Sequence, residues 1–339
     1  MTNGSVQVSV FGKTDLGRTR EHNEDTFLVA DLSSGNASLQ PEVRNHEIGP
    51  RGSLFIVADG MGGAAAGELA SAMAADHIHR HMASTWAAET TATAERFAYR
   101  MREAVELANS AIYAYAREHP EVRGMGTTVT AAGIFGSDLY LAQIGDSRAY
   151  LVRSADAIQL TKDQSLMQRL VDAGELTEDE AEQSERRNII LQALGPDPRV
   201  KVDLTYQSVR RGDVLILCSD GLSGLVRREE FGMLARQHAD PAALCAALID
   251  LANARGGPDN ITVITARFDG DGLPEPDGAE GVRYQAYQLP PTGNQSDPGA
   301  TEVNDSAAPE SILTLDRLRN LGLIILVLGV LMLLLAVWA

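Results

Sequence analysis

The chain is 339 residues long, 44% hydrophobic, and carries a formal charge of −17. That is enough for one sizeable core or two small ones, and it argues against a nucleic-acid surface, which needs clustered Lys and Arg to neutralise phosphates. Its two cysteines, Cys218 and Cys245, form no CxxC pair, so the pattern points to a reduced, cytosolic compartment with both thiols in the core.

The N-terminus has no basic stretch followed by an apolar run, so no signal peptide is expected. From there to about residue 269, apolar runs of strand length alternate with helical stretches. Strands are predicted over Val6–Phe11, Phe27–Ala30, Leu54–Ala58, Thr127–Ile134, Leu139–Ile144, Ala149–Val152, Val214–Cys218 and Ile261–Phe268. Helices are predicted over Gly67–Met82, Thr93–Glu118, Gln164–Ala173, Thr177–Ser184, Arg228–Gln237 and Pro241–Ala254. A pair of long helices followed by hairpin-like strands is an α+β pattern, not a regular βαβ repeat. Residues 31–52 read as a poorly patterned insertion.

Three zones follow: a domain over 1–269, an acidic linker over 270–318, and a transmembrane helix over 319–339. The linker is rich in Gly, Pro, Asp, Glu, Ser and Asn, and is expected to be disordered because it has little to bury. Leu321 to Ala339 is apolar and uncharged. As a helix it would rise roughly 28 Å, close to the thickness of a bilayer's hydrocarbon core. Arg317 and Arg319 precede it, which predicts a C-terminally anchored, single-pass protein whose large domain faces the cytoplasm.

The chemistry is carried by scattered aspartates. Asp25 closes Arg20-Glu21-His22-Asn23-Glu24-Asp25, and Asp146 lies in Gly145-Asp146-Ser147-Arg148. Asp59-Gly60 and Asp220-Gly221 each end a fully apolar strand, and Asp259 belongs to Pro258-Asp259-Asn260. A strand end fixes a carboxylate, and glycine lets the backbone approach a ligand closely. Taken singly, each Asp-Gly is an ordinary turn dipeptide. Together they form a set that repels itself unless a cation neutralises it, and hard oxygen ligands suit Mg²⁺ or Mn²⁺ rather than zinc. Two such ions about 3.5–4 Å apart can activate a water and stabilise a phosphoryl group, with the planar fork of Arg20 holding phosphate oxygens. There is no GxSxG elbow, no GxxxxGK loop and no HExxH. His77 and His81 share a helix face, which reads as a solvated surface.

The chain resembles the bacterial branch of the metal-dependent PPM/PP2C-type protein serine/threonine phosphatases. The resemblance rests on six motifs in order, over about residues 7–268: Arg20 to Asp25, Asp59-Gly60-Met61-Gly62-Gly63, Gly124-Met125-Gly126-Thr127-Thr128, Gly145 to Arg148, Cys218-Ser219-Asp220-Gly221-Leu222 and Asp259-Asn260-Ile261-Thr262. It implies a four-layer αββα sandwich, two antiparallel sheets flanked by helices. It also implies two core Mn²⁺ or Mg²⁺ ions and a third, weaker site. Asp59 would bridge the core ions, with the Gly60 carbonyl a ligand or close neighbour. Asp220 and Asp259 would hold one ion, Glu24 and Asp25 would support the other, and Asp146 with Asp220 would form the third site. Arg20 would bind the substrate phosphate, and water would attack phosphoserine or phosphothreonine directly.

Three positions depart from the family's usual pattern. Met61 stands where many animal members carry a histidine general acid, Gln164 replaces a usual histidine, and Ser184-Glu185-Arg186-Arg187-Asn188 replaces a His-Pro opening. The last two border a flap over about residues 163–194. The implied partners are phosphorylated proteins, a cognate serine/threonine kinase and a membrane, with no nucleic acid. The alternatives are a phosphatase in a partner-switching sigma-factor pathway, one acting on a small phosphate ester, or a catalytically dead phosphoprotein-binding scaffold.

Overall fold

Strand periodicity decides how the layers stack. In the computed structural model, which describes residues 4–184, 186–276 and 281–290, strand β5 (Ser53–Met61) sends Leu54 and Ile56 to one face and Phe55 and Val57 to the other. Both faces are covered, which is why its sequence is an unbroken apolar run rather than an alternating one. Strand β12 (Val214–Cys218) behaves alike, with Leu215 and Leu217 on one side and Val214, Ile216 and Cys218 on the other.

One antiparallel sheet runs β10 (Asp156–Gln159), β9 (Arg148–Arg153), β12, β13 (Ile261–Asp269), β1 (Gln7–Asp15) and β4 (Asn45–Glu47). The other runs β11 (Asp203–Ser208), β8 (Asp138–Ile144), β7 (Val129–Phe135), β5, β2 (Asp25–Asp31) and β3 (Asn36–Ala37), with β6 (Gly126–Thr127) paired to β5. Their facing sides make the central core, including Val8, Val10, Phe55, Leu141, Leu151 and Phe268. Helices α2 (Ala64–His81) and α3 (Ala94–Glu118) cover the outer face of the second sheet. Helices α7 (Arg228–Gln237) and α8 (Pro241–Ala254) cover the outer face of the first. The expected four-layer sandwich is therefore the observed one.

The differences are local. Helix α2 starts at Ala64 and runs into a π-helical turn over Met82–Trp86, which seats the fully buried Trp86 edge-on against Phe97 and Phe135. The insertion over 31–52 contributes α1 (Pro41–Arg44) and the edge strand β4. Strands β10 and β11 were not anticipated. The face carrying His81 is not simply solvated, because His81 Nε2 lies 2.8 Å from Glu103, within a network that joins Glu89, Arg96 and Arg100.

The expectation of a disordered linker from residue 270 needs correcting, since the compact unit extends to Leu289. Residues 281–290 lie along the free edge of β11. Tyr206 N donates to Gln285 O at 3.0 Å and Tyr287 N to Leu204 O at 2.8 Å. Tyr287 packs against Tyr140 and Tyr206, and Leu289 against the same outer core. A few apolar and aromatic side chains in a polar stretch thus suffice when an open sheet edge supplies backbone partners. The anchor expected over 319–339 lies outside the described residues. Among those described, no helix is long and apolar enough to cross a membrane.

Candidate active site

Strand parity also assembles the acidic residues. Phe27 and Val29 of β2, and Phe55 and Val57 of β5, face the space between the sheets, so Asp25 and Asp59 share that side at the strand ends. The two aspartates are direct cross-strand partners. From the facing sheet, Ser219 Oγ donates to Asp25 Oδ2 at 2.8 Å and accepts from Thr262 N at 3.0 Å. Asp220 opens the short helix α6 (Asp220–Ser223), immediately after β12. Asp259 stands two residues before β13 and pairs with Arg20 at 2.8 Å.

Gly60 is needed for close approach. Its N–H reaches Glu24 O at 3.1 Å, and a Cβ there would strike the carbonyl oxygens of Gly67 and Glu24. The Glu24 carboxylate itself lies against Gly67 in the first turn of α2.

The electrostatics are those of carboxylates short of positive charge. Burial, reinforced by Asp25, Asp220, Asp146 and Asp259, holds the Asp59 pKa far above the carboxylate range. Asp25 is pushed up to about 7 by burial, against the hydrogen bonds from Thr262 and Ser219. Asp146 is likewise raised to about 7 by burial and by Asp220 and Asp163, and Asp220 is raised by burial and Asp259. Burial also raises Glu24, with Arg20 opposing it. The hydrogen bond to Asp259 pushes Arg20 further up. Asp146 Oδ1 is buried with no hydrogen-bond partner.

These oxygens are a donor set that fits a hard divalent cation, and they have little else to compensate them. As the side chains stand, no three His, Cys, Asp or Glu among the described residues form a closed ligand cluster, and Arg20 engages Asp259 while Ser219 engages Asp25. All the residues singled out in the sequence nevertheless meet at one end of the sandwich. Arg20, Glu24, Asp25, Asp59, Gly60, Asp220 and Asp259 lie together there, and Asp146 interacts with them through Asp220. Met61 sits at the rim, 37% exposed, and offers no titratable proton.

Residues 36–253 match the profile described as protein phosphatase 2C. The chain belongs to the protein phosphatase 2C family. It is 38% identical over 259 residues to the serine/threonine phosphatase stp of Listeria monocytogenes, covering 76% of this chain and 94% of that protein. Among solved structures, the Mycobacterium tuberculosis serine/threonine phosphatase PstP/Ppp superposes with a TM-score of 0.65 at 35% identity, over 78% of this chain and 99% of that one. A structure of the PstP catalytic domain in complex with two manganese ions superposes with a TM-score of 0.63, again at 35% identity and with the same coverage. Membership of the protein phosphatase 2C family makes this chain a serine/threonine protein phosphatase, a hydrolase acting on phosphoproteins.

Several residues that build this protein phosphatase 2C site were quoted within motifs but given no role by sequence reasoning. Asn260 clamps the Arg20–Glu24 loop: its Nδ2 donates to Leu16 O and His22 O, and its Oδ1 accepts from Glu24 N at 2.9 Å. Thr127 Oγ1 donates to Asp59 O at 2.9 Å, and Thr128 Oγ1 accepts from Asp59 N at 3.1 Å while touching Ser147 Oγ at 2.7 Å. The threonine and serine motifs are thus the scaffold that fixes the Asp59 backbone. Arg148 forms a fork with Asp163, its Nε at 3.0 Å and its second nitrogen at 2.7 Å. Gln164, a departure from the family's histidine, ties the flap to the Asp146 loop. Its Oε1 accepts from Gly145 N at 2.9 Å and from Gln192 Nε2 at 2.8 Å, and its Nε2 donates to Asp203 at 2.9 Å. For Asn260, Thr127, Thr128, Ser147 and Arg148 the only sequence signal was their position inside the motifs, whereas Gln164 stood out only as a departure at the border of the flap.

Proposed function

We propose that the chain hydrolyses phosphoserine and phosphothreonine in proteins with two Mn²⁺ or Mg²⁺ ions, tethered to the cytoplasmic side of a membrane. The observation that carries the site is the buried group of carboxylates, with pKa values raised by burial and by one another and with Asp146 Oδ1 left without a partner. Buried charges persist only when paired or coordinated.

In this reading Asp59 would serve both core ions, with the Gly60 carbonyl available beside it. Asp220 and Asp259 would hold one ion, Asp25 and Glu24 would support the other, and Asp146 with Asp220 would offer a third, weaker site. When bound, the ions supply positive charge for the phosphoryl oxygens and lower the pKa of a water. The protein does the rest. The Arg20 guanidinium, 47% exposed at the rim, is placed to receive two phosphate oxygens and orient the phosphorus. Cross-strand pairing and the Thr128–Ser147 contact hold Asp59 in one position, so little reorganisation accompanies reaction. With Met61 in place of a titratable side chain, the proton for the departing seryl or threonyl oxygen comes from water.

The membrane tether is supported by the uncharged apolar run from Leu321 to Ala339 and by Arg317 and Arg319 before it. A membrane-bound phosphatase would oppose a serine/threonine kinase acting on the same phosphoproteins. The test is phosphate release from a phosphothreonine peptide by the full chain with Mn²⁺, with Mg²⁺ and with EDTA, beside Asp59→Asn. Release that requires the metal and disappears in the variant is expected. Release in EDTA, or undiminished release by the variant, would overturn the assignment. Membrane fractionation of the full chain against one ending at residue 290 tests the tether, and recovery of both in the soluble fraction would refute it.

A further inference from the structure

The other end of the same sheet holds a second charged cavity. Val152, Val214 and Arg267 form one row of the β9–β12–β13 register, and they line it together with Ser154, Arg211 and Arg236. Its volume is about 300 Å³. Arg267 and Asp259 lie on one chain segment, eight residues apart, so strand rise alone puts the cavity roughly 20 Å or more from the carboxylates.

The charges are unevenly committed. Asp213 in the wall belongs to Arg153, which it meets at 2.7 Å with both side chains buried. Arg211 is matched by Glu275 at 2.8 Å and Asp271 at 3.1 Å. Arg267 instead donates to two backbone carbonyls at the end of α7, Ala235 O at 3.0 Å and Ala239 O at 3.1 Å, and is half-buried. Neither Arg267 nor Arg236, in the last turn of α7, has a carboxylate within ion-pair distance among the described residues. Ser154, the one non-glycine residue with positive φ among those described (61°), brings a hydroxyl with no hydrogen-bond partner there. Arg236, with no carboxylate in ion-pair distance among the described residues, and Arg267, which feels the charge of an Asp269 shared with Arg211 at 3.7 Å, thus meet the exposed Ser154 hydroxyl around one cavity.

We propose that this cavity is a phosphate-binding site separate from the catalytic carboxylates. A phosphate monoester dianion or inorganic phosphate matches this pair: Arg236 can offer two parallel donors, and Arg267, with its Nε and one terminal nitrogen held by backbone carbonyls, offers the remaining nitrogen and its charge. Both sources arise from the protein's own reaction, one as phosphorylated side chain and one as product.

The test is calorimetric titration of sodium phosphate into the full chain in EDTA, at chloride-balanced ionic strength, and into Arg236→Glu and Arg20→Ala. Saturable binding is expected that survives Arg20→Ala and weakens by about tenfold or more in Arg236→Glu. Unchanged melting and peptide turnover would show Arg236→Glu to be folded, since Arg236 is exposed. A phosphoserine peptide that binds more tightly than phosphate, and loses that advantage in Arg236→Glu, identifies a phosphorylated protein segment as the source. Equal affinities identify free phosphate. Absence of saturable binding, binding untouched by Arg236→Glu, or binding lost in Arg20→Ala would each overturn the proposal.

Discussion

Replacing Asp25 by Asn should stabilise the metal-free protein while removing activity. Asp25 is buried beside Asp59, Asp220 and Asp259, and its pKa stands at about 7 against 3.8 for a free aspartate. A difference of about 3 units corresponds to roughly 4 kcal/mol of destabilisation once the pH exceeds both values. Because the folded pKa is the higher one, the cost is absent below about pH 4, grows as pH rises, and is complete above about pH 7. Asn has nearly the same shape, and its carbonyl oxygen can still accept from Ser219 Oγ. Neighbouring aspartates share the strain, so about half the figure, roughly 2 kcal/mol, should be recovered. For a domain of this size that raises Tm by about 4–8 °C. The assay is thermal unfolding in EDTA at pH 7.5 and pH 4.5, followed by peptide turnover with Mn²⁺. A variant that melts no higher than the parent at pH 7.5, or that gains equally at pH 4.5, would refute the reasoning.

Arg20→Ala should lower kcat/KM on a phosphopeptide by about 10²-fold or more with Tm nearly unchanged, because its ion pair with Asp259 is half exposed; steady-state kinetics check it. Gln164→Ala cuts the Gly145, Gln192 and Asp203 hydrogen bonds and should speed amide exchange in the Asp146 loop and the flap, read by hydrogen–deuterium exchange. A chain ending at residue 276 should melt below one ending at 290 by an amount equivalent to about 2–4 kcal/mol, from lost burial of Tyr287 and Leu289. Trp86→Ala, in a fully buried aromatic cluster, should cost about 3–5 kcal/mol in denaturant unfolding.

The site was legible because its acidic residues terminate strands that the sequence marks clearly. Leu54 to Ala58 and Val214 to Cys218 are apolar on both faces, and the following Asp-Gly steps mark where each strand reaches the edge of the sandwich. What joins them was not legible. Ser219 and Asp25 are 194 residues apart, and Arg20 and Asp259 are 239 apart, so their contacts exist only after the sheets have packed. Strand β11 was missed because Asp203 to Ser208 is short and half polar, and it sits at an edge where alternation is weakly enforced. The segment over 281–290 was missed for a related reason. Its composition is that of a linker, and it is held by that same edge rather than by a core of its own.

The two thiols have a consequence for regulation. Cys218 ends β12 one residue before Ser219, and Cys245 lies inside α8; both are buried and are the whole of the chain's cysteine. Burial pushes Cys218 to about 12 and Cys245 to about 11. At pH 7.5 a thiol with a pKa near 12 is ionised to roughly one part in thirty thousand, and the thiolate is the reactive form. While the fold is closed, neither thiol presents an accessible thiolate to peroxide or to a disulfide partner. The same burial makes alkylation of Cys218 a clock for opening of the sheet beside Asp220, running only when that sheet comes apart.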